Sequence, residues 1–427
     1  MRFRVKPGMT DRQAWNDYMK KLLQINPVVR ENTSTGKIMR ELGELAQAAG
    51  WESYIAYSRA RDGVPQHSSK LVPVGNKHDL LWHWLATRLF DAHGLASRHA
   101  TRQLIRRIRE IDPDIVHIHN VHGYFLNYPL LCAFLAERGK PVIWTVHDCW
   151  LFTGHCYHYA AAGCDKWQTQ CYDCPQKRAF PKSCLLDRSR RNFEQKRHAL
   201  TAVPNLTLVT VSDWMRREVA KSFLKEVPCR VIHNGIDLDV FKPRTEAGIQ
   251  KRYSINATNY ILAVASIWLP EKGIEDLARL AGLLAPDEGL VIVGRIAEEQ
   301  KASFLTNVAF VPRTENAAAL AALYSEALAL VNPTWQDNYP TVNLEAIACG
   351  TPVVTYRTGG SVESVTKQTG FVVEQGDVEG LAACIREIRT LGKEHYSETC
   401  REYARQHFDK KERFEDYIRL YESLATR

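Results

Sequence analysis

At 427 residues, with 45% hydrophobic and 24% charged positions, the chain has the make-up of a folded protein of two ordinary domains or three small ones. No window approaches the roughly 18 uninterrupted apolar residues of a membrane span; the nearest run, Trp82–Phe90, is broken by His83 and Arg88, and no secretory pattern opens the chain, so a cytoplasmic protein is expected. A net charge of +8 suits anionic ligands or an anionic membrane surface ahead of nucleic acid, and eleven cysteines are too few for a disulfide scaffold at this length.

Residues 1–18 are polar and patternless, and two readings stand level: an extension outside the fold, or an ordinary N-terminal arm. The domain plan takes the first and starts the fold at Met19. Strand-like runs then alternate with helical ones. The apolar run 22–26 is followed by an amphipathic helical run at 37–49 and a strand at 53–57. A polar insertion and a helical stretch near 79–111 lead to strands at 115–119, 142–147 and 206–212. A second series is expected at 229–234, 260–266, 290–294, 308–311, 327–332, 352–356 and 370–373, with helices at 316–325 and 378–391 among them. Short apolar strands alternating with helices imply parallel sheets, and two series imply an α/β fold of two doubly wound, Rossmann-like domains. The expected division is 19–226, carrying a Cys-rich insertion near 149–184, then 227–408, then a C-terminal helix at 409–427 packing back on the first domain. Ligands of such a fold sit beyond the carboxyl ends of the strands, in a cleft that the two domains face.

The densest signal is Pro333–Glu363. Pro340 is expected at the first helical position, where its missing N–H costs nothing. The N–H groups of Thr341, Val342 and Asn343 would then face an anion, aided by the helix dipole, with Glu345 one turn in to accept from ribose hydroxyls. Lys272-Gly273 follows a strand and opens a helix, a setting suited to neutralising a diphosphate leaving group. The competing reading of each motif is bland: a surface helix with an incidental acid, or a solvated lysine. Their conjunction with the Gly359-Gly360 turn favours a sugar-nucleotide site.

Together with Asn234-Gly235-Ile236-Asp237, Asp337, Gly350-Thr351-Pro352-Val353 and Thr369-Gly370-Phe371, these motifs resemble the retaining, family 4 glycosyltransferases of the GT-B fold, over about residues 20–425. Trp144–Gln176 and Val264–Gly273 look like the bacterial exopolysaccharide branch, of the colanic acid type. The resemblance implies that Glu345 holds the donor ribose, Lys272 the diphosphate and the backbone around Thr341, Val342 and Asn343 the rest of the donor. Asp337 stands where the family usually has a glutamate against the transferred sugar. The family's arginine beside the strand before the lysine is replaced here by Val264-Ala265-Ser266-Ile267-Trp268, and Arg295 is the candidate substitute. Ser34-Thr35-Gly36 is similar to the family's glycine loop under the donor phosphates, with one glycine where two are usual. His119 matches the family's strand-end histidine near acceptor and sugar, and His147-Asp148 a second position. His117 and His119 share a strand face, and a satisfied buried imidazole is the competing reading for any one of the three.

Cys156, Cys164, Cys171 and Cys174 could close a tetrahedral structural zinc site, with Cys171-x-x-Cys174 as the better half. Free thiols and labile disulfides are the alternatives. Arg102, Arg106 and Arg109 at helical spacing, and the basic stretch 178–197, suit either an anionic lipid surface or simple solvation. The implied activity is metal-independent transfer of a sugar, with retention, from a nucleotide-diphosphate sugar to a growing, lipid-linked oligosaccharide at the inner face of the cell membrane. No cofactor is required for that chemistry and no nucleic acid is involved. The rival readings are an epimerase or phosphorylase on the same fold, and a zinc-bearing nucleic-acid-binding protein.

Overall fold

The computed structural model describes residues 19–29, 34–59, 67–304 and 307–425. The expected extension at 1–18 lies outside them. The chain forms two compact units: one runs up to Thr210 and adds Arg216–Arg230 and the residues from Phe414 on, and the other takes in Val211–Met215 and Val231–Arg413.

The first unit is built on seven strands: β1 (Lys21–Ile25), β2 (Glu52–Tyr57), β3 (Lys70–Pro73), β4 (Ile115–Ile118), β5 (Val142–Val146), β6 (Leu206–Thr210) and β7 (Cys229–Val231). Their order in the sheet is β3-β2-β1-β4-β5-β6-β7, with parallel pairing from β3 through to β6. β4, β5 and β6 are buried along their whole length, as strands covered on both faces must be, so they read as apolar runs without alternation. Two of the departures from the sequence reading concern β7 and the stretch near 79–111. β7, expected to open the second series, is instead the edge of this sheet, tied in by the Leu208 N–H to the Pro228 carbonyl at 2.8 Å. The helical stretch near 79–111 is two helices, Lys77–Phe90 and Arg98–Ile111, because Asp91 and Ser97 both adopt left-handed backbone between them.

The end of the chain belongs to this unit. The helix Lys410–Ala425 buries Tyr417 and Tyr421. The Tyr421 hydroxyl meets His117 Nδ1 at 2.7 Å, the Tyr417 hydroxyl meets Thr145 Oγ1 at 3.2 Å, and Trp51 Nε1 donates to Glu422 Oε1 at 2.7 Å.

The second unit carries β8 (Asn259–Ile267), β9 (Glu288–Arg295), β10 (Val308–Val311), β11 (Ala329–Asn332), β12 (Val353–Tyr356) and β13 (Gly370–Val373). They form one parallel sheet in the order β10-β9-β8-β11-β12-β13. Helix starts here are fixed locally: Asn316 caps Ala317–Glu326 through the Ala319 N–H, and Asp377 caps Val378–Leu391 through the Gly380 N–H, both at 2.8 Å. In each sheet the strand order turns back beside the first strand, between β1 and β4 and between β8 and β11. At such a point the connections leave in opposite directions and the carboxyl ends of the two strands stay uncovered, which is where α/β sheets bind ligands.

Candidate functional site

In the second unit the turn after β8 and the loop after β11 meet at that point. Lys272 ends a 3-10 turn, Pro270–Lys272, and Gly273 behind it has φ +76°. A Cβ on Gly273 would stand 2.0 Å from the Pro333 carbonyl oxygen, so only glycine allows the turn to press against the loop. The Trp335 N–H bonds to the Glu271 carbonyl at 2.9 Å, and Trp335 Nε1 to Asp276 Oδ2 at 2.8 Å. Turn and loop are thus bolted together, and Lys272 Nζ reaches Asp337 Oδ2 at 2.7 Å. Two residues that the sequence assigns to different parts of the donor therefore neutralise each other. Their side chains are 34% and 20% exposed, so the pair is worth roughly 0–1 kcal/mol and is cheap to open.

The helix Thr341–Ala348 begins one residue later than expected, with Pro340 as its N-cap in extended geometry. The Asn343 N–H is engaged by the Pro340 carbonyl at 3.2 Å, which leaves Thr341 and Val342 as the donors at the helix start. Asn343 itself is fully buried. Its Nδ2 donates to Ser361 Oγ at 3.1 Å and Ser364 Oγ at 3.2 Å, and its Oδ1 accepts from Asn332 Nδ2 at 2.9 Å. It therefore fixes the helix to the end of β11 and to the turn after β12 rather than facing a ligand. In that turn, Cβ atoms on Gly359 and Gly360 would each lie 1.9 Å from the carbonyl oxygens of Asp337 and Asn338. The glycine pair is what lets the Asp337 loop sit where it does.

Glu345 is half-buried one turn into the helix. Tyr324, fully buried on the neighbouring helix, donates its hydroxyl to Glu345 Oε2 at 2.9 Å and so orients the carboxylate. Sequence reading passed over Tyr324 because it lies in an alanine-rich helical run with no polar motif. Arg295 is exposed at the carboxyl end of β9, the strand beside β8. Asp213, His233 and Glu363 are the one group of three metal-type ligands within 4.8 Å of one another among the described residues. Glu363 accepts the N–H groups of Asp213 and Trp214, so it serves there as the cap of the helix Asp213–Lys221.

In the first unit, Gly36 lies inside the first turn of the helix Ser34–Ala48, not in a loop before it. The corresponding strand ends, β1 and β4, carry a hydrogen-bonded row. Gln24 Nε2 donates to the Met39 carbonyl at 2.8 Å, which turns Gln24 Oε1 toward His119 Nε2 at 3.0 Å. That nitrogen must then carry the proton, so His119 Nδ1 accepts from His147 Nε2 at 3.2 Å. Both His119 nitrogens are thereby engaged, and the ring is 1% exposed. The ring therefore fixes the orientation of His147 through its Nε2. Burial lowers His117 to about 3 and His119 well below the ordinary range. Burial also lowers His147, to about 4, with Asp148 opposing and His122 assisting. Burial works to raise Asp148, but the charge and hydrogen bond of His122, at 2.6 Å, hold it at about 2.

The insertion after β5 contains the four cysteines. The neighbouring Cys156 thiol holds the Cys174 thiol below the usual thiol range despite its burial. The Gly154 N–H donates to Cys171 Sγ at 3.2 Å. Cys164 and Cys174 are close enough to add to the upward shift that burial gives Cys171. No three of the four sulfurs approach within 4.8 Å of one another. Beside them His155 Nδ1 pairs with Asp91 at 2.6 Å, while its Nε2 is buried without a hydrogen-bond partner.

Comparison with known proteins follows this division. Residues 35–240 match the family model Glycosyltransferase Family 4, and residues 258–390 match Glycosyl transferases group 1. The chain is a glycosyltransferase. WcaC of Escherichia coli (strain K12), named for colanic acid biosynthesis, is 25% identical over 421 residues, covering 94% of this chain and 100% of WcaC. The capsular polysaccharide biosynthesis glycosyltransferase CapM of Staphylococcus aureus is 23% identical over 195 residues, covering 42% of this chain and 51% of its own length. Among solved structures, Anabaena HepE in complex with UDP superposes with a TM-score of 0.68 at 15% identity, covering 95% of this glycosyltransferase and 100% of HepE, a likeness of GT-B fold.

The buried histidines give the glycosyltransferase an acid-sensitive fold. Unfolded, His117, His119 and His147 titrate near 6.5; folded, burial holds His117 at about 3, His147 at about 4 and His119 well below the ordinary range, so the unfolded chain gains protons that the fold refuses as pH falls. Stability is then complete above about 6.5 and lost progressively below it, with His117 alone contributing about 2 kcal/mol of loss at pH 5. Melting temperature measured from pH 7.5 to 5 should fall steadily, and the slope should be shallower in His117→Gln; a flat profile would contradict neutral burial.

Proposed function

We propose that the enzyme transfers a sugar, with retention, from a nucleotide-diphosphate sugar to a growing lipid-linked oligosaccharide in exopolysaccharide or surface polysaccharide synthesis. The observation that carries the donor half is the meeting of Lys272, the N-terminus of the helix Thr341–Ala348 and the Tyr324-oriented Glu345 at the β8/β11 strand ends. Glu345 takes the ribose hydroxyls, and Thr341, Val342 and Lys272 take the diphosphate, with Arg295 as a second cation from β9. Asp337, released when Lys272 turns to the phosphates, accepts from hydroxyls of the transferred sugar. HepE was solved with UDP, which supports a nucleotide-diphosphate sugar as the donor class. The acceptor class follows the polysaccharide roles in the names of WcaC and CapM.

In the proposed reaction the acceptor hydroxyl attacks the anomeric carbon on the face from which the nucleotide leaves. The C–O bond to the diphosphate breaks, the new C–O bond forms, and the departing phosphate oxygen takes the acceptor proton. Charge develops on that oxygen, and Lys272 with the helix N-terminus stabilises it, so the step requires no metal. His147 lies in the first unit on the acceptor side of the reading, its tautomer set by His119. Lys272→Ala should lower kcat by about a hundredfold to a thousandfold. Glu345→Ala should raise the donor KM by about tenfold to a hundredfold. Transfer from labelled sugar nucleotides to a lipid-diphosphate oligosaccharide, with the product's anomeric configuration read by NMR, tests the whole reading. Inverted product, unchanged rates in both variants, or an altered sugar nucleotide with no transfer would each overturn it.

The insertion is proposed to hold one structural zinc on Cys156, Cys164, Cys171 and Cys174, drawn together by the metal. The Cys156–Cys174 contact and the lowered Cys174 thiol support it, and His155, backed by Asp91 as metal-bound histidines are, stands by as a further donor. Metal analysis of the purified enzyme should find about one equivalent, reduced in Cys171→Ser; a metal-free protein with unaltered melting would refute it.

A further inference from the structure

We propose that the outward face of the helix Lys77–Phe90, with the adjoining segment 177–186, docks the enzyme on an anionic phospholipid surface. In most surface helices the apolar stripe faces inward. Here the inward side of the helix carries His83, Ala86 and Thr87, and large apolar side chains point outward. Leu81 is 55% exposed and Trp82 60%, and Trp84 and Leu89 lie on the same arc. The insertion extends the patch. The Cys184 N–H bonds to the Arg88 carbonyl at 2.7 Å, which brings exposed Leu185 and Leu186 beside the end of the helix. A monomeric protein in water rarely exposes so continuous an apolar surface without a partner for it.

Charge decides which partner. Lys77 and Arg88 lie on the outward arc, and the Arg88 guanidinium stands 5.1 Å from the Trp84 ring centre. Exposed Arg178 and Lys182 flank Phe180. The segment 177–186 contains no carboxylate. The one acid of the helix, Asp79, is engaged by the Asn76 N–H in a capping box and lies off the arc. Tryptophan, leucine and cations without acids are the composition that settles at the headgroup level of an anionic membrane. A second copy docking by twofold symmetry would set the same cations against each other. The basic face of Arg102, Arg106 and Arg109, on the next helix, is exposed, but no other residue of that helix is a large exposed apolar one, so it lacks the inserting half of such a surface.

The proposal is independent of the donor reading, because lipid binding is measured without turnover. The probe is phosphatidylcholine vesicles with and without phosphatidylglycerol. The unaltered enzyme should sediment with the phosphatidylglycerol vesicles, less so at high salt, with a blue shift of tryptophan emission. Leu81→Ser with Trp82→Ser should reduce partition by about tenfold or more. Arg178→Gln with Lys182→Gln should reduce it by about fivefold per charge. These positions are exposed, and an unchanged melting temperature separates lost docking from lost folding. Absence of vesicle binding, equal binding by the Leu81/Trp82 variant, or a dimer in solution that this variant dissolves would each overturn the proposal, the last by giving the face to a second copy.

Discussion

Each sheet turns back on itself beside its first strand, and the chemistry-bearing residues of each unit collect at that reversal. β8 and β11 are neighbours that are far apart in sequence, and so are β1 and β4. Right-handed crossovers then carry the chain to opposite sides of the sheet, which leaves the paired carboxyl ends without a covering helix. Lys272 follows β8, and Asp337 and the helix Thr341–Ala348 follow β11. In the other unit Gln24 lies on β1, and His117 and His119 on and just after β4. The same constraint that closes each core therefore opens its polar end.

Within the second unit, rigidity is concentrated where a ligand would need it. Asn343 is buried with its amide satisfied on both sides, so losing it would leave the Asn332 Nδ2 donor without that partner at about 1–3 kcal/mol, while Ser361 and Ser364 keep other bonds. The backbone contacts at Gly273, Gly359 and Gly360 admit no side chain. Against that frame, the Lys272–Asp337 pair is weak and partly in solvent. In the proposed donor complex this fixed cradle would offer one loosely held cation, so a phosphate would replace a cheap ion pair without the loop being rebuilt.

The parts of this arrangement that were legible in the sequence are the local ones. Apolar runs alternating with helical runs give two parallel sheets, and the Gly-Gly turn, the Lys-Gly turn and the Pro-initiated helix each announce themselves within a few residues. What stayed hidden depends on distant partners. Gln24 sets the tautomer of His119 from 95 positions away, and Tyr421 meets His117 across 304. Tyr324 and Asn343 look like ordinary core or ligand residues until the chain is folded, when one orients Glu345 and the other turns inward. β3 was missed because it is a four-residue edge strand ending in Pro73, too short and too exposed to show a period. The outward apolar face of Lys77–Phe90 was read as a short hydrophobic run, since exposure is not a property of sequence alone.

The central claim is that the β8/β11 strand ends hold a nucleoside diphosphate through Glu345 and Lys272. Thermal stabilisation of the purified enzyme by UDP, GDP and ADP, compared with Glu345→Ala, tests it directly. The account predicts a raised melting temperature with one of these nucleotides and loss of that rise in the variant. No response to any of the three, or an undiminished rise in Glu345→Ala, would contradict it.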